Sequence, residues 1–354
     1  MFKSRLVFLL LPALLVFGLG IAPAGARAPQ EPAGRVVAHG VETAPLPQLR
    51  VVRTGLIPII PSATIFVALD KGYFAAEGID LQWEPVTVTT DAMVQVGAGN
   101  LDVALATISA AVLNSIYRGV DIKIIAGNHG NPPSGIGGDP MIVRKDLYDS
   151  GAVVDASGLR GRKVGGNALG TFTEYAIDGA MRTAGLTVSD VDFQALPFPD
   201  IPNALANRAL DAAFVPEPWA TQAIERGYAA LIVPEFLRGA QITILMAGPT
   251  LLRDRALSEA FMRAFLRSLR DLNTEGWTSP ANAAIIEKYT RVPAATVQRI
   301  IPQYADPEGR INWESLMDQQ RFYIERGRTD FREPLDLTRY ADDGPRQAAL
   351  AASR

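Results

Sequence analysis

The stretch from Val51 to Val86 constrains the fold more than any other. An apolar run, Val51 to Ile57, reads as a strand and is followed by a turn around Pro58 and Pro61. Ser62 and Thr64 can cap a helix, and Ile65, Phe66, Leu69, Tyr73 and Phe74 recur at steps of three and four, which predicts a helix over Thr64 to Glu77. Gly78 supplies the stop, and Ile79 to Val86 reads as a second strand. A strand, a crossover helix and a strand form the unit of a parallel sheet. In such sheets the loop after the strand leaves free backbone N–H groups at the edge where ligands bind.

The rest of the chain repeats the pattern. Ala92 to Val96 reads as a short helix with Thr89, Thr90 and Asp91 as capping residues, and strands follow over Asp102 to Ala106 and Asp121 to Gly127, with a helix from Thr107 to about Tyr117 between them. His129 to Pro140 is a loop dense in Gly and Pro. Beyond it, strands are expected at Met141–Lys145, Lys163–Gly166, Val191–Leu196, Ala212–Val215 and Tyr228–Val233, with Gln241–Ala247 as the return crossing. The C-terminal third reads as amphipathic helices over Arg255–Thr274, Pro280–Tyr289, Ala294–Gln303 and Trp313–Arg326. Ala341 to Arg354 shows no burying pattern and reads as a fraying tail.

Two runs carry a family resemblance. ALDKGYFAAEGIDLQWEP (Ala68, Lys71, Gly72, Tyr73, Phe74, Glu77, Gly78 and Pro85) and AGNLDVALATIS (Gly99, Asp102, Thr107 and Ser109) resemble the solute-binding proteins of the nitrate, sulfonate and taurine group of ABC importers. DASGLRGR at Asp155–Arg162 and DAAFVPEPWA around Glu217 extend the similarity, which covers roughly residues 50 to 330. The resemblance implies an α/β, two-lobed periplasmic binding protein of type II. Each lobe would hold a mixed, mostly parallel sheet flanked by helices. Residues 49–138 plus 241–340 would form one lobe and 139–240 the other, with a tail from 341. It also implies a hinge that closes on a solute, an ABC permease with its ATPase as partners, and a monomer.

Composition bounds the alternatives. The 354 residues are 48% hydrophobic and 20% charged, enough for two core-bearing lobes, and a net charge of −3 offers no basic surface for nucleic acid. Lys3 and Arg5 precede an apolar run from Leu6 to Ile21, and small-residue cleavage sites follow at Ala24–Ala26 and Ala26–Ala28, so residues 1–28 read as a secretory signal peptide and 29–48 as a flexible leader. The chain has no cysteine, which removes disulfides, thiolate chemistry and the lipid-bearing Cys of a lipoprotein. A soluble periplasmic protein is expected, without cofactor or metal.

No catalytic constellation stands out. GGNALG after the Lys163–Gly166 strand lacks the Gly-Lys-Ser/Thr ending of a phosphate loop. What recurs is a strand, a short hydroxyl-bearing loop and a helix, at Ser62/Thr64, Thr89/Thr90, Thr107/Ser109 and Thr171/Phe172. Helix N-termini there favour an anion by about 0.3–1 kcal/mol each, while the same hydroxyls serve equally as ordinary caps. His129 reads either as a solvated loop residue or as a ligand contact. Glu217, between Pro216 and Pro218, either stabilises its helix start or accepts from a ligand amino, amidine or hydroxyl group. Trp219 and Phe172 either wall the cleft or pack beneath it. The expected solute is a small organic anion such as a sulfonate or carboxylate. The alternatives are a thiamine-pyrimidine precursor, or a sensor role at a membrane receptor. The related eukaryotic pyrimidine-precursor synthases need a Cys-rich iron motif that a cysteine-free chain lacks.

Overall fold

The computed structural model describes residues 45–86, 89–301 and 303–353. The expected signal peptide and almost all of the expected leader lie outside the described residues. Among the described residues, ten strands form two five-stranded sheets. The first orders β2 (Ile79–Pro85), β1 (Arg50–Leu56), β3 (Val103–Ala106), β10 (Gln241–Ala247) and β4 (Lys123–Gly130). The second orders β7 (Asp192–Ala195), β6 (Lys163–Gly166), β8 (Ala212–Phe214), β5 (Met141–Arg144) and β9 (Ala229–Ile232). The architecture is α/β and two-lobed, and the chain crosses between the sheets twice, from β4 to β5 and from β9 to β10.

Both sheets are mixed for the same reason. The strand that arrives at each crossing inserts antiparallel between two neighbours: β10 between β3 and β4, β5 between β8 and β9. The remaining pairs, β1 with β2 and β3, and β6 with β7 and β8, are parallel, joined through helices.

Helices surround both sheets. The first lobe carries α1 (Ala63–Asp70), α2 (Tyr73–Ala76), α3 (Thr89–Gly97) and α4 (Ala110–Tyr117). Then come α5 (Lys145–Asp149), α6 (Phe172–Arg182), α7 (Ile201–Ala206) and α8 (Trp219–Glu225) of the second lobe. After β10 follow α9 (Pro249–Arg253), α10 (Arg255–Thr274), α11 (Pro280–Thr290), α12 (Ala294–Val297), α13 (Trp313–Glu325) and α14 (Gly344–Ala351). Among the described residues no helix is long and apolar enough to cross a membrane.

Strand periodicity divides the core. In β3, Val103 and Leu105 face a cluster built with α1, α10 and α11, whereas Ala104 and Ala106 face the opposite cluster. In β5, Met141 and Val143 join that second cluster, while Ile142 faces a smaller one under α7 and α8. The second cluster is shared by both lobes: Val112 and Leu113 of α4, Phe172 and Tyr175 of α6, and Leu316, Phe322 and Tyr323 of α13 belong to it. Helix α13 therefore packs against both lobes at once.

Several boundaries differ from expectation. The helix expected over Thr64–Glu77 breaks at Gly72, whose φ of 72° is left-handed, so α1 and α2 are separate. Strand β4 runs on to Gly130, through the start of the expected loop, because β10 pairs with it as far as Gln241↔Gly130. The helix expected over Ala294–Gln303 stops at Val297. The expected fraying tail is helix α14: Ala349 is fully buried, and Arg346 pairs with Asp343 and donates to the Glu308 carbonyl at 3.0 Å.

Candidate functional site

The two lobes meet where α4 and α6 begin. Ser109 caps α4, its hydroxyl accepting from Val112 N–H at 3.3 Å. The next amide, Ala110 N–H, donates to the Gly170 carbonyl of the other lobe at 2.9 Å. Thr171 stands at the N-cap of α6 but does not cap it; its hydroxyl donates to Asn167 Oδ1 at 2.9 Å and to the Ala168 carbonyl at 2.8 Å. Glu174 reaches back instead, accepting Gly170 N–H at 2.6 Å. Ser109 and Thr171 are thus brought together across the seam.

The other expected contacts divide. Ser62 donates to the Ile57 carbonyl at 2.7 Å, and the fully buried Thr64 hydroxyl donates to Asn128 Oδ1 at 2.6 Å. Asn128 in turn donates to Thr243 at 2.8 Å, so this pair ties α1 to β4 and β10. Thr89 begins α3 and Thr107 follows β3, each half-buried. The side chain of Thr90 lies outside what is described. Phe172 is buried in an aromatic group with Tyr175 and Phe214, ring centroids 5.7 and 6.0 Å away. Trp219 stacks on Phe198 at 6.0 Å.

Glu217 and His129 lie deeper than a solvated loop would place them; both are 0% exposed. The Glu217 carboxylate accepts from Thr221 N–H at 3.0 Å, the Thr221 hydroxyl at 2.8 Å and Ile301 N–H at 3.1 Å. Burial pushes its carboxyl up to about 7 against those donors. His129 is a strand residue of β4 rather than a loop residue. Burial lowers its imidazole to about 4, so the ring is neutral. Its Nε2 lies 3.9 Å from Asp139 Oδ2, and burial raises the Asp139 carboxyl to about 7, opposed by the Glu217 backbone N–H. Among the described residues no Lys or Arg forms an ion pair with Asp139 or Glu217, and no group of three or more His, Asp or Glu is placed to hold a metal ion.

Sequence reasoning passed over Asp139, Asn131, Gln303 and Trp277. Asp139 and Asn131 sit in the visible Gly/Pro-dense stretch, where an acid beside Pro140 and an Asn beside Pro132 read as turn residues. Gln303 and Trp277 come from the C-terminal third and carry no motif; only the fold brings Gln303 to the Gly138 carbonyl, at 3.0 Å.

Residues 45–266, more than half of the chain, match the model of the NMT1-like family. The chain belongs to the NMT1-like family. No curated protein matches it by sequence. Solved structures share the fold of this NMT1-like chain at low identity. The alkanesulfonate-binding protein SsuA of Xanthomonas axonopodis pv. citri, bound to MOPS, is 12% identical with a TM-score of 0.66, over 83% of this chain and 99% of its own. The periplasmic nitrate-binding protein NrtA of Synechocystis PCC 6803 is 14% identical with a TM-score of 0.68, over 86% and 89%. A cysteine-to-serine variant of DszB, in complex with biphenyl-2-sulfinic acid, is 17% identical with a TM-score of 0.59, over 85% and 99%.

Proposed function

We propose that this NMT1-like chain is the periplasmic solute-binding component of an ABC-type importer, taking a small organic molecule with a sulfonate or carboxylate end between its lobes. The observation that carries this reading is the Ala110 N–H to Gly170 carbonyl hydrogen bond. It sets the N-termini of two helices from two different sheets against each other across one seam. In the closed arrangement a carbonyl oxygen meets the first amide of α4. When the lobes part, that amide, beside the Ser109 cap, is released to meet an oxygen of an anionic group.

A binding role is favoured over an enzymatic one. The chain has no cysteine, so the residue replaced in the DszB variant has no counterpart in kind. The pieces of chemistry that are present, Ser109, Thr171 and Glu217, are engaged in capping and cross-linking backbone. Export through a cleavable signal peptide, without lipidation, and docking on a permease with its ATPase complete the proposal.

The test is a thermal-shift screen of residues 29–354 with alkyl and aryl sulfonates, nitrate, bicarbonate, aromatic carboxylates and aminopyrimidines. Ligand at about a hundred times its Kd stabilises the bound state by about 2.7 kcal/mol. A rise of a few degrees confined to one chemical group supports the solute-binding reading. A flat response across the panel overturns an organic-anion solute.

A further inference from the structure

The crossing from β4 to β5 gathers an unusual number of buried polar atoms with no hydrogen-bond partner among the described residues. Both ring nitrogens of His129, Asn131 Oδ1, Asp139 Oδ1, Trp277 Nε1 and Gln303 Oε1 are in this state, on residues between 0 and 6% exposed. They are neighbours. His129 lies 3.9 Å from Asp139, and its ring meets that of Trp277 edge to face at 6.5 Å. Gln303 spends its amide N–H groups on the Gly138 and Ile301 carbonyls, at 3.0 and 3.1 Å, and turns its oxygen towards the His129 ring, an approach that raises the imidazole against its burial but closes no well-formed hydrogen bond. Asn131 likewise donates to the Phe236 and Leu237 carbonyls and keeps its oxygen free. Gly137 and Gly138 leave room for both amides: a Cβ on the first would fall 2.3 Å from Asn131 Oδ1, and on the second 2.2 Å from Gln303 Nε2.

A buried polar group left without a partner bears its desolvation penalty uncompensated, so a cluster of this size calls for an occupant. The free atoms state its chemistry. Asp139, Asn131, Gln303 and one nitrogen of the neutral His129 are acceptors; the other His129 nitrogen and Trp277 are the donors. Acceptors outnumber donors, and among the described residues no Lys or Arg pairs with the carboxyl. A bare sulfonate or nitrate, which only accepts, is a poor match. A cavity of about 200 Å³ adjoins on the His129 and Asn131 side, several times the volume of one water; its charged lining is Asp306 and Arg310, which are paired with each other. Its neighbours come from the crossing, from β10 and from the C-terminal segment, so an occupant here touches the parts that must move when the lobes open.

We propose that His129, Asn131, Asp139, Trp277 and Gln303 form a subsite for a nitrogen-bearing, multiply donating group of the solute, an ammonium or amidinium, with Asp139 as its principal acceptor. This rests on the solute-binding reading above and narrows it: the solute carries a donor group at the crossing in addition to any anionic end at the α4–α6 seam.

The test uses matched pairs on residues 29–354 by calorimetry: propanesulfonate against 3-aminopropanesulfonate, and benzoate against 4-amidinobenzoate. The nitrogen-bearing member of a pair is expected to bind at least tenfold more tightly. Asp139→Asn, and separately Gln303→Met, are expected to reduce that preference at least tenfold and severalfold, while the bare member is unchanged. Two variants are used so that a folding defect in one does not decide the result, and each is first checked by its melting curve. Equal or tighter binding of the bare anions, or a nitrogen preference that survives both substitutions, overturns this subsite and leaves the importer reading standing. No binding by any of the four compounds, in a chain that does bind a nitrogen-free solute from the wider panel, also overturns it. Silence across the whole panel overturns this subsite together with the organic-anion solute.

Discussion

The Glu217 carboxylate accepts the Ile301 backbone N–H at 3.1 Å, joining positions 84 residues apart. Glu217 belongs to the strand-to-helix turn after β8 and Ile301 to the segment between α12 and α13. The exposed Arg299–Glu225 pair lies beside it. The second lobe is therefore held by the C-terminal segment at this point, and again where α13 runs along α6. Glu217→Gln puts an amide N–H against donors that now meet a carboxylate. Loss of one or two buried hydrogen bonds is expected to cost about 1–3 kcal/mol, read as a lower urea midpoint at unchanged slope. An unchanged midpoint would show that the Ile301 contact contributes nothing.

At the second contact, two arginines meet two buried carboxylates of α6. Arg328 pairs with Glu174 at 2.8 Å and Arg326 with Asp178 at 3.0 Å. Asp178 has a further partner in Arg182 at 2.6 Å and accepts Val188 N–H, whereas Arg328 is the one cation paired with Glu174 among the described residues. Arg328→Ala is therefore expected to destabilise by roughly 2–4 kcal/mol and Arg326→Ala by about 1 kcal/mol or less, in the sense of an uncompensated against a still-paired buried charge. Equal effects in chemical denaturation would contradict this ordering.

Asp139 and His129 give opposite pH dependences. The Asp139 carboxyl rises from its ordinary 3.8 to about 7, so its stabilising contribution is complete below about 4 and is lost as pH climbs towards 7. His129 falls from 6.5 to about 4, so its contribution is complete above about 6.5 and is lost as pH drops towards 4. A tenfold difference in proton affinity between folded and unfolded chains is worth about 1.4 kcal/mol. Asp139→Asn should gain stability relative to the parent between about pH 4.5 and about pH 7.5, and His129→Gln should lose relative stability over the same rise. Urea melts at the two pH values check the signs; differences that do not move with pH count against both.

Gly127 lies where the chain from Arg310 crosses β4. A Cβ there would sit 2.2 Å from the Arg310 carbonyl oxygen, a backbone atom with no rotamer to escape into. Gly127→Ala is expected to cost about 1–3 kcal/mol by overpacking. At Gly119, whose Cβ position is open although its φ is 82°, the same change should cost only the smaller backbone strain. Melting temperatures of the two variants make the comparison.

Much of this was legible because periodicity is a local property. α10 falls on the residues expected from apolar spacing, β10 occupies the stretch expected as the return crossing, and Ser109 caps α4 as its position suggested. The candidate site was less legible because burial is not local. His129 looked solvated because the Gly/Pro run after it suggests a loop, yet pairing with a strand from far along the chain draws it into β4. Thr171 had the right residue type for a cap, but its hydroxyl turns back to Asn167 Oδ1 and the Ala168 carbonyl instead of meeting the first amides of α6. Glu217 could be read either way from its two prolines; only the arrival of Ile301 shows what its carboxylate meets. The α14 helix was missed because its buried side is narrow, carried by Ala349 and by Arg346 bonding to backbone rather than by a stripe of large apolar residues.

The insertion of β10 between β3 and β4 also sets an order of assembly. The sheet of the second lobe is encoded in one unbroken stretch, Met141 to Ile232, and every pairing it needs is available once that stretch has emerged. The first sheet has no bond between β3 and β4 until Gln241–Ala247 arrives to bridge them. A chain released end-first can therefore complete its middle before its beginning, and the N-terminal strands wait as an open edge for a partner made last.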